Sequence, residues 1–188
     1  MRISISGPPG SGKSTICALV ASKLGYESLL VGQIFRQMAI ERGVDLNTFG
    51  RFAEEDETID RELDERMLAL ARSKDNIVVE GRLSGPLMKA KNVPVFAVYV
   101  DASDDVRAER IAHREGKDAQ KVLQEIRTRE RSEKKRYKAF YAIDPTDPAH
   151  YDLWLGSSNT PAESLADTII AEARRTDSDH AHQGQKID

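Results

Sequence analysis

Apolar residues follow two spacings along this chain. Short aliphatic or β-branched runs at 2–6, 27–31, 77–80, 94–100 and 151–155, each bounded by turn formers, predict five strands. Between them, apolar positions return every three or four residues over 12–24, 32–42, 54–73, 104–115, 119–141 and 161–174, which predicts helices. The two kinds alternate with no repeat and no linker, so the pattern predicts one α/β domain over 1–175 built on a parallel sheet. The near-continuous apolarity of VPVFAVYV marks a central strand covered on both faces. Thr160, Pro161 and Glu163 supply the N-cap, first-turn proline and capping-box acid of the last helix. Beyond it, TDSDHAHQGQKID (176–188) has almost nothing to bury and is expected to be a disordered tail.

Composition narrows the class. In 188 residues, 39% hydrophobic and 31% charged, the longest apolar stretch (93–100) is far too short for a bilayer span, so no membrane association is expected. The opening MRISISGPPG has neither a basic nor an apolar targeting region, and a cytoplasmic location is expected. The single cysteine, Cys17, excludes an internal disulfide and falls in an apolar helical run, where it reads as a small core residue. No protein-built metal cage is expected. The net charge of −3 conceals polarity: segment 54–65 holds eight acids against Arg61, and 127–138 holds seven bases against Glu130 and Glu133. Arginines gathered in one segment of a mildly acidic chain suit a small polyanion, not nucleic acid. The acidic stretch reads as a solvated helix face.

The strongest chemical signal follows the first strand. In GPPGSGKST, Gly7, Gly12, Lys13 and Ser14 satisfy G-x-x-x-x-G-K-[ST], with a strand before and a helix after, as that motif requires. Gly7, Pro8, Pro9, Gly10, Ser11, Gly12, Lys13, Ser14 and Thr15 would wrap a triphosphate: amides and the helix N-terminus point at the anion, Lys13 reaches the β- and γ-phosphates, and the Ser14 hydroxyl ligates Mg²⁺. The loop by itself leaves the reaction open. No guanine-reading element follows a strand, and Glu80-Gly81-Arg82 stands where a switch GTPase would carry Asp-x-x-Gly, which disfavours a switch.

Other residues suggest a second anion site. Arg36 follows Gly32 on a helix, while Glu80 and Arg82 emerge at the carboxyl end of the third strand, where open α/β sheets bind ligands. Two arginines from separate elements can grip one phosphate, and Glu80 is placed to hold a water of the Mg²⁺ shell. Arg110 and Arg114, four apart, share a helical face, as do Arg129, Glu133 and Arg136. Such arginines suit a lid that closes over transferring phosphate and excludes water.

Taken in order, GPPGSGKST, GQIFR, EGR, RIAHR, RERSEKKRY and YDLWLGSSN resemble the nucleoside monophosphate kinases, most of all the short archaeal-type cytidylate kinases, over about residues 1–175. The resemblance implies a P-loop three-layer sandwich with a five-stranded parallel sheet, an NMP-binding helical insertion at about 32–75 and a short helical lid at about 110–136. It implies ATP as donor, CMP or dCMP as acceptor, and Mg²⁺. By the same resemblance Lys13 and Ser14 contact triphosphate and metal, and Arg36 and Arg82 hold the acceptor phosphate. Arg110 would stack on the donor adenine, Arg114 would clamp its phosphates, and Arg129 and Arg136 would gather both nucleotides. Glu133 is similar to an acid near the acceptor ribose, and the loop 157–159 would hold the adenine through its backbone. Gly156 departs from the acid that related kinases often carry there.

The residues alone leave the acceptor base open, with AMP or UMP as alternatives, because pyrimidine edges are read by a few polar groups in the insertion. A different class, an adenylate-kinase-like ATPase that times assembly of a larger particle, is weighed against the acceptor pair Arg36 and Arg82, which such a switch does not need. A monomer is expected.

Overall fold

The computed structural model describes residues 1–184. Strands β1 (Arg2–Ser6), β2 (Glu27–Leu30), β3 (Ile77–Glu80), β4 (Phe96–Asp101) and β5 (Leu153–Gly156) form one parallel sheet in the order β2-β3-β1-β4-β5. The central strand β1 sets Ile5 opposite Glu80 of β3 on one side and opposite Val98 of β4 on the other. Since all strands point the same way, the segments that follow β1, β3 and β4 meet along a single edge of the sheet.

Helices cover both faces. On one, Ile3, Ile5, Val98 and Val100 pack against Ile16, Cys17 and Val20 of α1 (Lys13–Leu24) and Leu165 and Ile169 of α8 (Ala162–Gly184). Cys17 is fully buried there, and burial pushes its thiol up to about 12, which leaves it an inert core residue. The opposite face of β1 carries serines. Their small size lets α5 (Ser84–Ala90) approach closely: Ser84 Oγ lies 2.8 Å from Ser4 Oγ, and a Cβ on Gly85 would stand 3.1 Å from Ala97 Cβ. This tight seat holds the β3–α5 turn, and with it Arg82, beside the loop after β1.

Three helices, α2 (Val31–Glu41), α3 (Leu46–Glu55) and α4 (Glu57–Arg72), form the insertion between β2 and β3. Between β4 and β5 lie α6 (Asp104–Glu115), α7 (Ala119–Tyr141) and a short 3-10 turn, Pro148–His150. The expected helix over 54–73 is thus two elements. Asp56, extended at φ −127°, breaks the acidic run and caps α4 by accepting from Thr58 N at 2.9 Å. The helix α3 ahead of it was hidden by Gly50 and its polar neighbours, yet it buries Phe49 and Ala53 completely. The short α5 was also unexpected, because Ser84, Gly85 and Pro86 fill its first half and only Leu87 and Met88 of its buried residues are large and apolar.

The solvated-face reading of the acidic stretch needs correction at two positions: Asp60 is turned inward and only 6% exposed, and Asp64 is half-buried beneath Tyr141. At the C-terminus, α8 runs to Gly184. The expected disordered tail is therefore helical over 176–184, since a helix nucleated by packed turns extends at little cost per residue; residues 185–188 of that tail lie outside the described residues. No helix among the described residues is long and apolar enough to cross a membrane.

Candidate active site

The loop from Gly7 to Gly12 joins β1 to α1, and its glycines are demanded by contact as well as by backbone angle. Gly7 (φ +147°) would put a Cβ 2.1 Å from Val100 O, and Gly10 (φ +77°) would put one 2.6 Å from Arg107 O. The loop is therefore clamped between β4 and α6. Ser11 is fully buried and its hydroxyl has no hydrogen-bond partner, while Ser157 Oγ donates to Ser11 O at 2.7 Å. Lys13, at the head of α1, is 7% exposed; its Nζ donates to Pro8 O at 2.6 Å and stands 3.9 Å from Glu80 Oε1. Burial, reinforced by Arg82, lowers the Lys13 ammonium to about 7. An incoming polyanion opposes both influences and favours the charged ammonium.

A cleft of about 680 Å³ opens from this loop towards the insertion. Pro9, Gly10, Lys13 and Ser14 form one wall, Arg36 of α2 with Glu80 and Arg82 another, and Arg114, Arg129, Glu133 and Arg136 of α6 and α7 close it. Glu133 is the hub: its Oε2 lies 3.2 Å from Arg82 Nε, and its Oε1 accepts from Arg129 Nε at 2.8 Å. Burial works against this carboxylate, but Arg82, Arg129 and Arg136 outweigh it and hold it below the usual range. Arg36 is exposed, resting on Gly32 O at 3.5 Å, and Arg114 is exposed beside Glu115 at 3.0 Å. Thr15 is exposed on α1 and takes no part in the wall; Gly7 and Pro8 instead border an adjoining cavity of about 630 Å³ beneath α7, beside Tyr99 and Trp154, which shares Arg82, Glu133 and Tyr137 with the cleft.

Arg110 points the other way, across the loop. It donates to Ser157 Oγ at 3.0 Å, to Ser157 O at 2.6 Å and to Gly10 O at 3.4 Å, so it ties α6, the phosphate loop and the turn after β5 together. Arg136 reaches away from Lys13: its Nε stands 3.5 Å from Asp60 Oδ2, an ion pair without hydrogen-bond geometry, so both atoms are buried and unsatisfied. Each such group costs about 1–3 kcal/mol. One turn along α4, Asp64 accepts from Tyr141 Oη, and burial raises its carboxyl to about 7.

Sequence reasoning missed three of these groups. Asp60 and Asp64 sit within a run of acids, where nothing marks which side faces inward. Arg107 is 4% exposed and holds Pro9 O at 3.2 Å, Asp104 at 2.5 Å and Glu130 of α7. Its only signal was its place three residues before Arg110, on the same helical face.

For a metal, no group of three or more His, Cys, Asp or Glu side chains comes together among the described residues. Mg²⁺ needs no such group, since it keeps waters and shares substrate phosphates with one or two protein oxygens. Ser14, exposed at the head of α1, and Glu80 are the oxygens at hand.

The chain resembles in fold a shikimate kinase from Acinetobacter baumannii (TM-score 0.61, 17% identity, 100% of this chain and 95% of that one). It likewise resembles a gluconokinase from Sinorhizobium meliloti (TM-score 0.64, 18% identity, 97% and 96%). In sequence it is similar to the cytidylate kinases of Archaeoglobus fulgidus (44% identity, covering 90% of this chain and 93% of the relative) and Sulfolobus acidocaldarius (37%, covering 93% and 95%). The family model for the cytidylate kinase-like family matches residues 2–159. With a P-loop fold, a cation-lined cleft and relatives matched over most of their length, the chain belongs to the cytidylate kinase-like family.

Proposed function

We propose that this protein transfers the γ-phosphate of ATP to CMP or dCMP, giving ADP and the nucleoside diphosphate. The observation that carries the reading is the convergence of Arg82 and Arg129 on one carboxylate, Glu133, in a cleft that Lys13 and Arg36 also line. The related proteins of Archaeoglobus fulgidus and Sulfolobus acidocaldarius are named cytidylate kinase, which supports the choice of acceptor.

The chemistry asks little of a base. A nucleoside monophosphate arrives with anionic oxygens, whereas a hydroxyl acceptor must lose a proton. Glu133, held below the usual carboxylate range, is a weak base and suits the first kind of acceptor. Catalysis then rests on positioning and charge. Arg36 and Arg82 hold the acceptor phosphate, Lys13 neutralises charge on the moving phosphoryl group, and Arg114 and Arg129 engage the donor phosphates. Arg110, with the turn at 157–159, borders the donor base. Arg136 lies on the acceptor side. Ser14, and Glu80 through water, would hold Mg²⁺, which supplies charge neutralisation of the triphosphate when bound.

The lid, residues 110–136, closes by partner exchange. Arg129 is paired with Glu133, Arg136 with Asp60, Arg127 with Asp104 and Lys134 with Asp144, so much of the cluster's charge is already matched by acids. Phosphates entering the cleft compete with Glu133 for Arg82 and Arg129 and draw the helix over the substrates.

Initial rates with ATP and a panel of monophosphates test the reading. CMP and dCMP should exceed AMP, GMP and UMP in kcat/KM; AMP as the best acceptor would replace it with an adenylate kinase.

A further inference from the structure

The acceptor half of the cleft has the form of a slot for a flat ring with one polar edge. Asp60, Leu63, Asp64 and Met67 line it from α4 at offsets of three, four and seven, hence from a single helical face. Phe35 of α2 lines it too, its ring held by Phe49 at 4.7 Å between centroids. Leu63, Met67 and Phe35 are apolar surface against which a ring can lie. The polar edge is Asp60 with Arg136, and Arg82 lies at the end nearer the phosphate loop.

That polar edge is incomplete by itself. Asp60 Oδ2 and Arg136 Nε are both buried, stand 3.5 Å apart and satisfy no hydrogen bond. Asp64 differs, because it already takes the Tyr141 hydroxyl. Glu133, the other acid nearby, is committed to Arg82 and Arg129. The arrangement therefore offers one acceptor and one donor, side by side, to a ligand edge that presents a donor beside acceptors. Cytosine presents such an edge: a 4-amino donor, then N3 and O2 acceptors. Uracil presents an acceptor at position 4 and a donor at N3, which meets carboxylate with carbonyl and guanidinium with N–H.

We infer that Asp60 and Arg136 read the acceptor base, the carboxylate accepting from the cytosine 4-amino group and the guanidinium donating to N3 and O2. The inference rests on the proposed CMP kinase activity and adds the residues that set its base choice. It also explains why an acid and an arginine from α4 and α7 are buried together without completing a hydrogen bond. Closure of α7 brings Arg136 to the base in the same movement that brings Arg129 to the phosphates, so base recognition is coupled to assembly of the transferring site.

Asp60→Asn offers an amide N–H where cytosine needs an acceptor and uracil needs a donor. The experiment measures kcat/KM for CMP and UMP in the wild type and in this variant. The CMP-over-UMP preference should fall at least about a hundredfold, by loss with CMP and gain with UMP. If Asp60 only staples α4 to α7, both acceptors slow together and the ratio stays within about threefold, which overturns the inference. A second measurement needs no variant: the wild-type protein is given pyrimidin-2-one riboside monophosphate, which lacks only the 4-amino group. A loss of at least about tenfold relative to CMP is expected, and parity with CMP would overturn the assignment. Failure of the parent reading looks different, because the wild-type protein would then transfer no phosphate to CMP at all.

Discussion

The two halves of the cleft are built in opposite ways. On the donor side, the phosphate loop is shaped by backbone: Gly7 and Gly10 lie against Val100 O and Arg107 O with no room for a Cβ, and the buried Arg107 holds Pro9 O from behind. On the acceptor side, α2, α3 and α4 share a small apolar core around Met38, Phe49 and Ile59, and what faces the cleft and α7 is a side-chain ion pair, Arg136–Asp60, with Arg66–Glu41 and Arg42–Glu62 on the surface. A backbone cradle is rigid and indifferent to which base is attached to the phosphates. Exchangeable ion pairs permit motion and can be matched to one base edge. The contrast teaches where rate and where selectivity should reside: changes on the donor side should abolish transfer for every acceptor, and changes on the acceptor side should redistribute it.

The largest expected effect is on the donor side. Lys13→Ala should lower turnover at least about a hundredfold with every acceptor while the fold is retained; more than a tenth of the wild-type rate would break the contrast. The same residue leaves a signature in stability. Burial, with Arg82 adding to it, lowers the Lys13 ammonium to about 7, whereas in an unfolded chain lysine titrates near 10.4. Between those values the unfolded chain binds more protons than the folded one, so stability of the free protein should rise as pH rises through that window. Denaturant melts at pH 7 and 9.5 should show the rise in the wild type and a flatter response in Lys13→Ala.

Next in size is Arg107→Met. Loss of the buried guanidinium should cost about 2 kcal/mol of stability, because Pro9 O and Glu130 lose their shared partner. It should raise the ATP KM about tenfold and leave the CMP KM nearly unchanged, since the Pro9 carbonyl it holds belongs to the donor cradle. An equal rise in both would show that the halves are not independent. The smallest effect belongs to Arg66→Ala. Its pairs with Glu41 and Glu62 are exposed, so thermal melts should shift by no more than about 2 °C and the difference should shrink in high salt.

These asymmetries also govern what could be read in advance. The phosphate loop is a local object, nine successive residues running from the end of a strand into the first turn of a helix, and its glycines follow from needs that such a short segment states. Cys17 in the core and the strand positions were legible for the same reason, since apolar spacing reports burial along a single element. Asp60 was not legible. In the run Glu54 to Glu65 every acid looks alike, and only the packing of α4 against α7 turns this one towards Arg136. Arg107 likewise shows no distinction in sequence from Arg110 or Arg114, yet one is buried behind the loop, one spans it and one faces solvent.

Sequence by itself determined the alternation of strand and helix, the parallel sheet, the phosphate loop and the supply of arginines, because these depend on periodicity and on chemistry within a few residues. Tertiary structure alone decided which charges distant in sequence meet. Glu133 reaches Arg82 across 51 positions, Asp60 meets Arg136 across 76, and Arg107 reaches Pro9 across 98. Such pairings depend on how the helices α4, α6 and α7 seat on the sheet edge, and that seating is set by buried contacts spread over the whole chain. Charge type can be read residue by residue; the low-dielectric neighbourhood that gives a charge its partner and its pKa exists only once the chain has closed around it.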